Sequence, residues 1–157
     1  MEVLNFREEL EKFSNQTGDH KHMALATCDD NYPTVRTMSV IIYNDNIYFQ
    51  TGTDLHKYDQ ISANKNVALC FDNVQIEGIA KIIGKPLDKN NEEIMEKYKK
   101  CFESSFKKYS YLDNEVLIMV KIKKITIWKY DAEQKPYRVF IDVDKENAYM
   151  EYYFVVQ

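Results

Sequence analysis

The sequence contains little glycine, proline or cysteine, and it has no long apolar segment. Its 157 residues include 4 glycines and 3 prolines, which is too few for a collagen-like or linker-dominated chain. The longest apolar runs are as long as a β-strand, well short of the ~20 residues that a membrane-spanning helix needs. We therefore expect a protein that does not bind a membrane.

The three cysteines, Cys28, Cys70 and Cys101, lie far apart in the sequence. No CxxC motif and no closely spaced Cys/His pair occurs, so the spacing excludes the usual structural zinc sites. Their odd number indicates a reducing compartment. The N-terminal residues are acidic and lack the apolar run of a secretory signal, so we expect a cytoplasmic protein.

Charge and composition exclude further classes. The 21 Lys and Arg residues against 25 Asp and Glu give a net charge of −4. A general nucleic-acid binder is usually basic, so no nucleic-acid partner is expected and any anion site must be local. A hydrophobic fraction of 45% with 13% aromatic residues indicates a well-filled core, and the length predicts one domain over residues 1–157.

Three segments have helical periodicity. The first places Val3, Phe6, Leu10 and Phe13 on one face and ends near Gly18. A short helix is predicted from about residue 54 to about residue 64, with Thr53 or Asp54 as its N-cap. The third is predicted over residues 90–108, and its apolar face consists of Ile94, Tyr98, Cys101, Phe102 and Phe106.

The remaining segments are predicted strands, and short Asn/Asp turns between the first three indicate an antiparallel meander. They cover 23–28, 34–43, 47–51, 67–71, 74–83 and 115–130, with further strands at 139–141 and 152–156. So many strands would leave exposed edges unless the sheet closes, so we predict a mainly β fold, a six-stranded antiparallel β-barrel with flanking helices.

Two irregularities are predicted within the sheet. Gly78 inside the 74–83 strand indicates a bulge or a close approach of two backbones. In the 115–130 strand, the apolar residues occupy even positions up to Ile122 and odd positions from Ile125. Such a change of parity at Lys123 and Lys124 predicts a β-bulge, because one extra residue exchanges the two faces.

The residues around the third strand suggest a phosphate site. Arg36 and Lys57 are suitable cations, one a bidentate fork and the other a mobile point charge. Thr51 and Thr53 supply hydroxyl groups at the start of a helix, which favours anions. The alternative interpretation is that both cations are solvated surface residues.

Three ordered segments, MALATCDDNYPTVRTM, NIYFQTGTDLHKYDQISANKNVAL and QIEGIAKIIGKPL, resemble the FMN-binding split barrels of the pyridoxamine 5'-phosphate oxidase-like superfamily. The resemblance covers roughly residues 20–87. It implies a homodimer with FMN at the subunit interface and an oxidoreductase activity. Its substrate would be a small molecule, with NAD(P)H as a candidate electron donor.

The resemblance also implies site residues. Arg36 matches the arginine that grips the FMN phosphate, and His56 and Lys57 match a basic pair at the same phosphate. The flavin ring would lie beside the strand of Thr37, Met38, Ser39 and Val40, and the strand-end pair Gln50 and Thr51 would contact it. Asn73 or Gln75 matches a polar contact from the partner subunit. His56 departs from the usual arginine, which weakens the phosphate clamp at neutral pH.

Other features leave alternatives open. The family's oxidase needs a characteristic arginine-containing tail, whereas Arg138 is the one arginine near this C-terminus, so oxidation of vitamin B6 is not predicted. A non-enzymatic flavin or haem carrier or sensor on the same barrel is the alternative function, and F420 is a further candidate ligand.

His20 and His22 lack a third metal ligand nearby in sequence and are interpreted as loop residues. Trp128 is expected to pack on the core.

Overall fold

The computed structural model describes residues 1–153, which form nine strands and four α-helices. The strands are Glu2–Leu4 (β1), His20–Asp29 (β2), Tyr32–Tyr43 (β3), Asn46–Gly52 (β4), Asn66–Phe71 (β5), Val74–Ile82 (β6), Glu115–Tyr130 (β7), Pro136–Asp142 (β8) and Asn147–Tyr152 (β9). The helices are Phe6–Thr17 (α1), His56–Ala63 (α2), Glu92–Cys101 (α3) and Glu103–Tyr109 (α4). Within these residues, no helix has both the length and the apolar character to cross a membrane.

Six of the strands close into an antiparallel barrel, as predicted. Their order is β7-β4-β3-β2-β5-β6, and β6 pairs with β7 again to complete the circle. The turns that join β2 to β3 and β3 to β4 have positive φ at Asp30, Asn31, Asn44 and Asp45. Two successive positive φ angles are what a tight hairpin turn requires, so the predicted meander is confirmed.

Strand β7 is long and pairs with three other strands. Its first half pairs with β4 and its second half with β8, while β6 pairs along its other edge. The strands β8, β9 and β1 extend the sheet beyond the barrel. The register along β6 joins Glu77 to Lys124 but Gly78 to Ile122, so Lys123 is an extra residue. The bulge predicted from the parity change is therefore confirmed.

Two groups of buried side chains pack on opposite sides of the barrel wall. The interior group includes Leu25, Val40, Phe49, Ile76, Ile118 and Val120. The outer group lies between the wall and the helices α3 and α4, and it includes Ile41, Tyr48, Leu117, Ile94, Tyr98 and Phe106. The second group fixes the helices against β3, β4 and β7, and these are the elements that surround the cavity described below.

Some predicted element boundaries are wrong. Val3 lies in β1, paired with β9, because helix α1 begins only after Asn5, whose side chain accepts a hydrogen bond from the Glu8 amide. The predicted 90–108 helix is divided at Phe102, where φ is −134° and ψ is 55°. The predicted Thr53/Asp54 cap is absent in the described chain, and Leu55 occupies the N-cap position of α2. Most of the predicted 152–156 strand lies outside the described residues.

Gly78 is where β6 and β7 approach most tightly. A Cβ atom built there would lie 2.5 Å from Val120 Cγ1 and 2.8 Å from the Lys121 carbonyl oxygen. We therefore expect Gly78→Ala to reduce the free energy of unfolding by about 1–3 kcal/mol, since the backbone cannot yield without distorting the bulge. Urea denaturation followed by circular dichroism measures this. Gln75→Ala, at an exposed position of the same strand, is the control, and equal effects of the two changes would contradict the prediction.

Candidate functional site

A cavity of about 470 Å³ opens where β4 ends and α2 begins. Strand β3 forms one wall, the helices α3 and α4 form another, and the start of β7 lies at the base. Six residues that the sequence indicated as site residues line this cavity. They are Thr37, Met38, Ser39, Gln50, Thr51 and Lys57. The fold thus brings the segments 37–39 and 50–57, which are separate in the sequence, to the same cavity.

The strand-end pair leaves polar groups without partners. Gln50 and Thr51 are both buried, and the Ser110 hydroxyl donates to Gln50 Oε1 at 2.8 Å. Within residues 1–153, Gln50 Nε2 and Thr51 Oγ1 have no hydrogen-bond partner. A buried polar atom without a partner costs about 1–3 kcal/mol, so these two atoms indicate a place where a polar ligand contributes the missing bonds.

Arg36 is held by a polar network at the same end of the barrel. Its Nη1 donates to Thr27 Oγ1 at 2.6 Å and to the Leu25 carbonyl at 3.3 Å. Its Nη2 donates to Thr34 Oγ1 and, at 3.3 Å, to Gln60 Oε1 on helix α2. Partial burial lowers the pKa of Arg36, although an arginine remains charged at any physiological pH. The network positions the guanidinium beside α2 without neutralising its charge.

Lys57 lies in the first turn of α2 and lines the cavity. Burial lowers the pKa of its ammonium group, and the positive charge of Arg36 lowers it further. The negative charges of Glu115 and Asp54 act in the opposite direction. Arg36 does not line the cavity, but its guanidinium is close enough for its charge to act on Lys57. A neighbouring anion would favour the charged form of a lysine placed in this way.

Glu115 is an ionisable cavity residue that sequence reasoning missed. It is the first residue of β7, is only 5% exposed and lines the cavity. Burial raises the pKa of its carboxyl to about 7; the charge of Lys57 lowers it and that of Asp54 raises it. The available signal was an acidic residue at the start of a strongly apolar strand. Tyr98, which was assigned to the helix core, also lines the cavity.

The other predicted site residues lie elsewhere in this chain. Val40 is fully buried in the barrel interior, and His56 is exposed at the first residue of α2. Asn73 Nδ2 donates to the Trp128 carbonyl at 2.6 Å. Gln75 lines a different groove, of about 390 Å³. Contacts of Asn73 or Gln75 with a ligand in a partner subunit remain a prediction.

Two expectations about single residues are wrong. Trp128 does not pack into the core but is 41% exposed, because its side chain lies on the outer face of β7. The Arg138 guanidinium lies 5.2 Å from its ring centroid, on the neighbouring strand β8. His20 and His22 are also not loop residues, since both lie in β2.

Comparison with known proteins gives one family match and several structures with the same fold. The family model described as pyridoxamine 5'-phosphate oxidase matches residues 6–129. No curated protein sequence gives a significant match. Among solved structures, a pyridoxamine 5'-phosphate oxidase-related, FMN-binding protein from Nostoc punctiforme has a TM-score of 0.61 at 14% identity, and the match covers 97% of this chain and 98% of that one.

Two other solved structures share the fold. PhzG from Burkholderia lata, in complex with tetrahydrophenazine-1-carboxylic acid, has a TM-score of 0.63 at 11% identity, covering 95% of this chain and 92% of that one. HutZ, the haem storage protein from Vibrio cholerae, has a TM-score of 0.60 at 13% identity, covering 76% and 92%. At these identities the likeness shows a common fold and no common ligand.

The buried Glu115 carboxyl predicts a pH-dependent stability. Its pKa is about 7 in the folded protein and about 4.3 in an unfolded chain. The folded state therefore holds the proton more tightly, and this contribution to stability is present at low pH and is lost as the pH rises through 7. Between about pH 5 and pH 8, Glu115→Gln should gain roughly 1–3 kcal/mol of stability relative to the wild type.

Urea denaturation at several pH values measures this difference. Glu11→Gln is the matched control, because Glu11 is exposed on helix α1. A difference between Glu115→Gln and wild type that stays constant across this pH range would contradict the assignment of a raised pKa to Glu115.

Proposed function

The chain belongs to the pyridoxamine 5'-phosphate oxidase family, and we propose that it is an FMN-binding oxidoreductase whose cavity at the end of β4 holds the flavin. One observation carries this proposal. Lys57 and two unpartnered buried polar atoms, on Gln50 and Thr51, lie at a single cavity, at positions that the family resemblance assigned to FMN. The charge of Arg36, which lies outside the lining of that cavity, acts on Lys57. A phosphate and a polar ring edge are the groups that this arrangement would stabilise.

The phosphate lies beside Arg36 and Lys57 in this proposal. The flexible lysine binds as a point charge, whereas the guanidinium is already oriented by its bonds to Thr34 and Gln60. Both groups are partly removed from water, which strengthens their interaction with a dianion. Local cations also explain how a protein with a net charge of −4 binds an anionic cofactor.

The flavin ring lies against strand β3, beside Thr37, Met38 and Ser39. Gln50 Nε2 and Thr51 Oγ1 are buried beside the same cavity and supply hydrogen bonds to the polar edge of the ring. Tyr98 contributes an apolar surface from α3. When bound, FMN supplies hydride or electron transfer, and the residues of this chain bind the ring, orient it and exclude water from it.

The substrate is a small molecule, with NAD(P)H as the candidate electron donor. The C-terminal segment has Arg138 as its one arginine, which departs from the tail that the resemblance associates with vitamin B6 oxidation, so that reaction is not proposed. We propose further that the protein is a homodimer with flavin at the subunit interface, where Asn73 or Gln75 would reach the flavin of the other subunit. The exposed Trp128, Tyr130 and Tyr153 support such an interface.

A haem-binding or sensor role on the same barrel is the second candidate, favoured by the likeness to a haem storage protein. The cavity itself fits haem less well. Among the described residues that line it there is no histidine and no cysteine, and the possible iron ligands are Met38, Tyr98 and Tyr109, which are less common axial ligands of haem iron. The donor set therefore favours a flavin over a metalloporphyrin.

Removal of one cation tests the phosphate site. Lys57→Gln should weaken FMN binding roughly ten- to a hundredfold, the cost of losing one charge-assisted hydrogen bond. Riboflavin, which lacks the phosphate, should bind the variant and the wild type equally.

Arg36→Glu should abolish FMN binding, because it places a negative charge against the phosphate. Quenching of flavin fluorescence on titration measures each affinity.

Lys65→Gln is the control for charge, because Lys65 is exposed beyond the end of α2, and it should leave the FMN affinity unchanged. Equal losses of FMN and riboflavin in Lys57→Gln would contradict the phosphate assignment. A wild-type protein that binds neither flavin would contradict the proposed function as a whole.

A further inference from the structure

A cluster of three metal-binding side chains lies outside the flavin cavity. His20 is the first residue of β2, Asp19 precedes it, and Cys101 is the last residue of α3. One potential ligand atom from each of the three lies within 4.8 Å of the other two. The sequence offers no nearby third ligand for His20. The fold supplies this ligand, Cys101, which lies 81 residues further along the chain. We propose that Asp19, His20 and Cys101 bind a Zn²⁺ ion.

The donor set identifies the metal class. A thiolate sulfur and an imidazole nitrogen are poor ligands for Mg²⁺ and Ca²⁺, which prefer oxygen. Carboxylate does not suit Cu⁺, which selects soft sulfur ligands. Zn²⁺ accepts all three donor types in tetrahedral sites with bonds of about 2.0–2.3 Å. Those bonds place neighbouring donors roughly 3.3–3.8 Å apart, so rotation of the exposed Asp19 and His20 side chains closes the site.

The backbone positions of the three ligands are well supported. The carbonyl oxygen of Asp19 accepts a hydrogen bond from the Ile42 amide on β3 at 2.9 Å. His20 Nδ1 lies 2.7 Å from Asp19 Oδ1, and its ring packs edge-on against Phe102, with the ring centroids 5.7 Å apart. Cys101 packs against the apolar cluster under α3. The ligands are thus held at the ends of regular elements that pack on one another.

Charge and access are also suitable. A bound dication with one carboxylate and one thiolate forms a neutral centre, and the Cys101 thiol loses its proton to solvent as the zinc–sulfur bond forms. Burial and the charge of Asp19 raise the pKa of this thiol, while Lys100 and Lys97 lower it, so the bound metal has to displace a firmly held proton. Since Asp19 and His20 are exposed, a water molecule can take the fourth position, as in zinc sites that are open to solvent.

Cobalt substitution tests the site directly. Co²⁺ added to the full-length protein should bind at one equivalent and give a thiolate-to-cobalt charge-transfer band together with the visible bands of a tetrahedral ion, and Zn²⁺ should displace it. Cys101→Ser should abolish the charge-transfer band. Cys101→Ser and His20→Ala should each weaken Zn²⁺ binding by about a hundredfold or more, since loss of an outer-shell partner alone costs 10–100-fold.

Matched controls come from the same chain. Cys70→Ser removes an exposed cysteine on β5, and His22→Gln removes a histidine that packs on Phe102 but lies outside the cluster. Both variants should bind Co²⁺ and Zn²⁺ as the wild type does. Absence of the charge-transfer band in the wild type, or its persistence in Cys101→Ser, would overturn the proposal. If Cys101→Ser fails to fold by circular dichroism, the exposed His20→Ala carries the test.

Discussion

Closure of the barrel depends on one extra residue in strand β7. That strand pairs with β4, β6 and β8. Its apolar residues occupy even positions up to Ile122 and odd positions from Ile125, so without an extra residue they would face opposite sides of the sheet. Lys123 resets the alternation, so Ile122 and Ile125 are both buried. The first half of β7 then closes the barrel beside β4 and carries Glu115 to the cavity, while the second half supports the additional sheet.

The electrostatics of the cavity follow from that closure. Lys57 reaches the cavity from α2 and Glu115 from β7, and the charge of Arg36 on β3 acts on Lys57. Burial lowers the pKa of Lys57 and raises that of Glu115. An incoming phosphate dianion would be stabilised by the two cations, and a protonated Glu115 would not oppose it. In the proposed function, these local cations allow an acidic chain to hold an anionic cofactor.

Local patterns in the sequence predicted most of the barrel. The parity change at Lys123 identified the bulge, and the order of motifs identified the strands of the barrel and the segment that places Gln50, Thr51 and Lys57 at one cavity. What escaped prediction is long-range. In the sequence, Glu115 is an ordinary first residue of a strand. Its burial beside residues of α3 and α4 appears only in the folded chain. The approach of Cys101 to His20 depends on how α3 packs against β3, the strand that pairs with β2, and no spacing in the sequence predicts that distance.

The visible absorption spectrum of the purified protein, with mass spectrometry of any cofactor released on denaturation, tests the central claim most directly. We expect a flavin spectrum, or one that appears when FMN is added to the colourless protein, and the released molecule should have the mass of FMN. A protein that stays colourless in the presence of FMN, or that carries the absorption of haem, would contradict the assignment of the cavity at the end of β4 to a flavin.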